Sequence, residues 1–181
     1  MKLLGISGSV SGRKTRIMVE KVLSSAKEQF QDITTELLDL KEYNVQFCDG
    51  RNPSDYTGDT KKVIEMVTAA DAFIIGTPIY QASMTGALKN LFDLVPVSAF
   101  SGKVIGFLAN GGTYQHYLVI ENQLKPIAGF FRSYVAPNYV YAHDEHFNQH
   151  YEIIDQNVLN RIDTLAKQVV TMQKSFEKMV F

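Results

Sequence analysis

Three short stretches of this chain gather residue types suited to holding a phosphate and a flat ring. The first is Ser7-Gly8-Ser9-Val10-Ser11-Gly12-Arg13-Lys14-Thr15-Arg16. Its glycines let backbone N–H groups turn inward, and Ser9, Ser11 and Thr15 offer hydroxyl donors. The helix that follows adds partial positive charge at its start. Arg13, Lys14 and Arg16 add formal charge suited to a phosphomonoester. The second stretch is Thr77-Pro78-Ile79-Tyr80-Gln81, where Pro78 fixes one dihedral and Tyr80 sets a ring beside exposed backbone groups. The third is Asn110-Gly111-Gly112-Thr113, whose missing Cβ atoms admit a flat ring; His116 would place an imidazole near its edge. A strand-to-helix turn with ordinary capping hydroxyls, and a helix-capping histidine, are the bland readings of the first and third stretches.

Each stretch follows a short apolar run, and so sits at the end of a strand. Lys2–Ile6 precedes the first, Ala72–Gly76 the second and Lys103–Ala109 the third. Ile33–Leu40 reads as a further strand, and Tyr134–Ala142 as a fifth, with Pro137 moving part of it towards an edge. Helical stripes separate them: Met18, Val22, Ala26 and Phe30; Val63, Ile64, Val67 and Ala70; Ala87–Val95; Tyr117, Ile120, Leu124, Ile127 and Phe131; Val158, Ile162, Leu165 and Val169. Strands alternating with helices predict one α/β domain over 1–181, a three-layer flavodoxin-like fold. Its five-stranded parallel sheet has order 2-1-3-4-5 and helices on both faces. All three loops then fall at the carboxyl end of the sheet. There they form one pocket for a phosphate-bearing planar ring, the chemistry of FMN. Lys41–Thr60, rich in turn residues, reads as a surface loop. Ala87–Val95 is apolar on more than one face, which predicts deep burial or a subunit contact.

The chain has 181 residues, 45% hydrophobic and 20% charged, which is the composition of a soluble globular domain. A formal net charge of −1 argues against a nucleic-acid binder. No apolar run approaches the length of a membrane span. The single cysteine, Cys48, suits a reducing compartment, and the expected location is cytoplasmic. The glycine spacing matches neither a dinucleotide fingerprint nor a Walker loop, and no Gly-x-Ser-x-Gly elbow marks a hydrolase. His143, His146 and His150 have the spacing of one helix face, but no apolar stripe supports such a helix. They read as a solvated loop, and no metal site is expected.

With these residues in view, the chain resembles the NAD(P)H-dependent FMN reductase family, and most of all the FMN reductases of two-component sulfonate monooxygenase systems. The resemblance rests on Gly8-Ser9, Thr77-Pro78-Ile79-Tyr80, Gly86-Ala87-Leu88-Lys89-Asn90, and Gly111-Gly112-Thr113 with His116 and Leu124-Lys125-Pro126. It implies FMN phosphate in the Ser9–Arg16 loop. It implies the isoalloxazine against Thr77–Gln81 on one side and against Asn110–Thr113 with His116 on the other. It also implies NAD(P)H as hydride donor, a flavin-dependent monooxygenase as recipient of reduced FMN, and a homodimer or homotetramer. Where those relatives carry an aromatic residue before Leu-Lys-Pro, associated with a π-bulge at a tetramer interface, this chain has Asn122. The flavin does the hydride chemistry, so no catalytic side chain is required. An FMN-bound reductase of quinones, azo dyes or chromate, and a flavodoxin-like electron carrier, are the alternatives.

Overall fold

A computed structural model describes residues 1–179 and shows a six-stranded, wholly parallel sheet. The strands are β1 (Lys2–Ser7), β2 (Thr34–Asp39), β3 (Ala72–Pro78), β4 (Val104–Gly111), β5 (Tyr134–Val135) and β6 (Val140–His143). Their spatial order is β2-β1-β3-β4-β5, with β6 also pairing with β4. Helices α1 (Lys14–Gln29) and α5 (Gln156–Met179) cover one face. The other is covered by α2 (Gly58–Thr68), α3 (Gly86–Leu94) and α4 (Lys125–Phe130). The predicted order and layering are therefore present.

Side-chain alternation builds the two layers. Phe73 and Ile75 of β3, with Ile105, Phe107 and Ala109 of β4, join the core under α2 and α3. Ala72, Ile74, Val104 and Leu108 join the core under α1 and α5. A strand buried on both faces must be apolar at nearly every position, which is why these runs are continuous rather than alternating in sequence. Gly106 is a necessary exception. A Cβ there would lie 2.7 Å from Val169 Cγ2 and 2.9 Å from Leu165 Cδ1, so its absence lets α5 seat on the sheet.

Three elements differ from the sequence expectation, and a fourth takes one of the two placements expected of it. The fifth strand is two pieces at one sheet position: β5 lies along Val104–Ile105 and β6 along Leu108–Gly111. Pro137, which has no N–H for a ladder, stands between them. The Lys41–Thr60 stretch is more than a surface loop. Tyr56 is wholly buried, Asn90 of α3 holds Gln46 O at 2.9 Å and Cys48 N at 2.8 Å, and α2 already begins at Gly58.

The stripe from Tyr117 to Phe131 is a composite of a π-turn over Ile120–Leu124 and the short α4. Lys125 N–H donates to Ile120 O, five residues back, and Pro126 contributes no N–H. The π-turn thus forms with Asn122 in place of the aromatic residue. Finally, Leu88, Leu91, Phe92 and Leu94 of α3 are all buried inside this one chain, so the apolar faces of α3 need no second subunit. Among the described residues, no helix is long and apolar enough to cross a membrane.

Replacing Gly106 with Ala should force α5 outward or strain its packing. Urea denaturation should show a loss of about 1–3 kcal/mol.

Candidate functional site

The three loops meet at Asn110, at the carboxyl end of β4. Thr15 Oγ1 donates to Asn110 Oδ1 at 2.6 Å, which joins α1 to that strand. The N–H of Ile79 donates to Asn110 O at 2.8 Å, which joins the loop after β3. A third link closes the ring, since Ser11 Oγ and Tyr80 Oη lie 2.7 Å apart. The hydroxyls of Ser9 and Thr77 are engaged inside the protein. Ser9 donates to Ser11 O, and buried Thr77 accepts the N–H of Thr85 at 3.2 Å. Thr85 caps α3 by accepting Leu88 N–H at 3.1 Å and donates to Gly8 O at 2.5 Å.

At the root of the first loop, Ser7 Oγ is buried without a partner among the described residues. The residue preceding α1, Arg13, gives it no side-chain cap, and its first turn holds no acidic residue. The first N–H groups of that helix have no intrahelical acceptor. An orphaned hydroxyl at one end of this loop and uncapped amides at the other fit a phosphate. The three cations are deployed unequally. Lys14 pairs with Asp144 at 2.7 Å and lies 5.1 Å from the centre of the Phe147 ring. Arg16 bonds Glu20 at 2.8 Å, Asp39 at 3.2 Å and Glu42, and the first and last of these carboxylates push its pKa further up. Arg13 is exposed and pairs with no carboxylate among the described residues.

The second loop ends in a two-residue hairpin. Tyr80 and Ser83 exchange N–H···O bonds of 2.9 and 3.0 Å across Gln81 and Ala82. Those two have φ of 43° and 61°, the left-handed region that such a turn demands and that Asn-Gly usually supplies. Holding two ordinary residues there costs on the order of 1–3 kcal/mol each. Gln123, on the π-turn, supports the strained turn at two points. Ser83 Oγ donates to its Oε1 at 2.7 Å, and its Nε2 donates to Ala82 O at 3.2 Å.

In the third loop, a Cβ on Gly111 would lie 2.5 Å from Tyr141 Oη, so any other residue there would have to displace that hydroxyl. Tyr141 donates to Thr113 O at 2.5 Å, and burial raises its pKa and keeps it a donor. Gly112 and Thr113 are exposed, and His116 is half-buried. The histidines read as a solvated loop are placed otherwise. His143 is 3% exposed and ends β6, with its ring 3.9 Å from those of Tyr114 and His146. His146 Nδ1 accepts His143 N–H at 3.3 Å, and His150 is exposed. Burial, then the neighbouring His143, lower the pKa of His146. Among the described residues, no group of three or more His, Cys, Asp or Glu is placed to hold a metal ion. Tyr141, Thr85 and Gln123 escaped the sequence reading. Thr85 before Gly86 carried a readable helix-cap signal, whereas the other two reach the site from distant segments.

The family profile for NADPH-dependent FMN reductases matches residues 1–147. The chain belongs to that family. It is 60% identical over 177 residues to an NAD(P)H-dependent FAD/FMN reductase of Geobacillus thermodenitrificans (strain NG80-2), covering 98% of this chain and 96% of that one. It is 25% identical over 170 residues to the NADH-dependent FMN reductase SfnF of Pseudomonas putida, covering 93% and 91%. Its fold is that of the NADH:FMN oxidoreductase EmoB in the apo form. The TM-score is 0.76 at 22% identity, over 96% of this chain and 89% of that one.

Two outcomes follow from this geometry. Gln123→Ala should weaken FMN binding about tenfold by fluorescence titration, the equivalent of about 1.4 kcal/mol, and Ala82→Gly in that background should restore most of the loss. Because the folded state holds His146 neutral, its stabilising effect is present above the ordinary histidine pKa of about 6.5 and is lost as pH falls below it. The drop in urea-measured stability from pH 7.5 to 5.5 should therefore shrink in His146→Phe.

Proposed function

We propose that the chain binds FMN across these three loops and transfers a hydride to it from NAD(P)H. As a member of its family it is an oxidoreductase that uses FMN and NAD(P)H. The observation that carries the binding reading is the meeting of all three loops at Asn110, with uncapped α1 amides and the orphaned Ser7 hydroxyl on one side. In this reading Arg13 and the α1 amides take the phosphate, with Ser9, Ser11 and Thr15 shaping the loop. Lys14 and Arg16 hold its flanks through carboxylates. Thr77 sets the second loop from beneath, while Pro78, Ile79, Tyr80 and Gln81 meet one side of the ring. Gly111, Gly112, Thr113 and His116 meet the other, where backbone N–H groups stabilise charge on the reduced ring. When bound, FMN supplies the hydride-accepting ring.

A site in which two of three cations are already paired grips a phosphate loosely. That supports a flavin that arrives as substrate and leaves reduced, with a flavin-dependent monooxygenase as its recipient. The reading also includes a homodimer or homotetramer, for which exposed Leu118 and Phe130 offer apolar surface, and a cytoplasmic location, which the free thiol of Cys48 suits.

NADH and NADPH oxidation should rise and saturate with added FMN and should be negligible in flavin-free protein. Absence of oxidation with both nucleotides at saturating FMN would overturn the reductase reading. One FMN retained per chain, with dye or quinone reduction independent of added flavin, would overturn release.

A further inference from the structure

Beside the third loop lies a cleft of about 570 Å³ that the flavin reading leaves unused. Tyr114 and Tyr117 come to it from the segment after β4, Tyr139 and Tyr141 from the edge of the sheet, and Arg161 from the second turn of α5. Tyr141 is also the residue bonded to Thr113 O and pressed against Gly111. The cleft and the proposed ring site thus share one wall.

Its lining has a definite chemistry. Four tyrosines line it. Tyr114 and Tyr117, 63% and 45% exposed, offer rings to a flat aromatic group, whereas Tyr141 is 7% exposed and Lys125 Nζ stands 5.4 Å from the centre of the Tyr139 ring. Arg161 is exposed and pairs with no carboxylate among the described residues. The cleft's own carboxylate, Asp155, accepts Val158 N–H at 2.8 Å. His146 has its Nδ1 occupied by a backbone N–H, so its neutral ring carries the proton on Nε2 as a donor. A guanidinium among aromatic faces suits a ligand with a planar base at one end and a phosphate at the other.

We infer that this cleft receives the adenosine diphosphate half of NAD(P)H, with Arg161 on its phosphates and the tyrosines on its adenine. The inference rests on the reductase reading, since it places the nicotinamide end against the ring held by the third loop. FAD carries the same half, but its adenosine would leave from the phosphate at α1. The cleft takes Tyr114 and Tyr141 from the surroundings of the third loop, where the proposed ring end lies.

The test separates binding from turnover. The chain contains no tryptophan, so tyrosine emission can report titration with adenosine 5′-diphosphate and with adenosine 2′,5′-bisphosphate. Arg161→Ala should weaken both about tenfold, the range of one charged hydrogen bond, and leave FMN affinity unchanged. In steady state it should raise KM for NADH and NADPH by a similar factor at constant kcat. KM for reduced nicotinamide mononucleotide, which lacks the adenosine half, should not move.

Unchanged adenosine-nucleotide affinity in Arg161→Ala would overturn the inference. So would an equal loss with the mononucleotide, or a loss seen only when FAD replaces FMN. Adenosine-nucleotide binding that depends on Arg161, in a wild-type protein that oxidises neither dinucleotide, would uphold the cleft and overturn the hydride-transfer reading instead.

Discussion

The site depends on the double use of Asn110. Its side-chain oxygen takes the Thr15 hydroxyl, and its carbonyl takes the Ile79 N–H, so the ends of α1 and β3 are referred to one residue of β4. Both bonds are half-sheltered at the sheet end, where a lost partner is poorly replaced by water. This geometry is possible only because the sheet is parallel, bringing three strand ends to one edge. The parallel sheet in turn requires helices on both faces, and hence the apolar runs of β3 and β4.

The strained turn over Gln81–Ala82 shows how a loop in such a site is stabilised from outside. Two residues with side chains adopt the left-handed conformation, and the π-turn of Ile120–Leu124 presents Gln123 to them. A one-residue insertion in a helix rotates the side chains that follow it, so the irregularity sets which residue faces the loop. The π-turn here is secured by the Lys125-to-Ile120 bond and by Pro126. An aromatic residue at position 122 is not needed to form it.

The layering was legible because burial on both faces leaves a strong imprint in sequence. β1, β3 and β4 lie within two residues or so of where apolar runs put them, and the three loops lie at the predicted edge. Glycine, proline and hydroxyl content pointed to the residues proposed for the site, but the partners of those residues were not legible. Arg16 and Lys14 look alike in sequence to Arg13, yet carboxylates on β2 and after β6 draw them aside. His143 reads as polar loop because nothing near it in sequence says that β4, Tyr114 and His146 will enclose it. Long-range packing decides such cases, and local pattern carries no trace of it.

The interruption of the edge strand between Val135 and Val140 matters beyond this fold. A long, straight strand at a sheet margin offers a ladder of free amides and carbonyls that another chain can extend. Here the margin is a two-residue strand, then a segment holding Pro137, then a four-residue strand. A neighbouring chain finds no continuous register along which to add itself. The proline that broke the expected strand therefore also protects this open margin from becoming a template for aggregation.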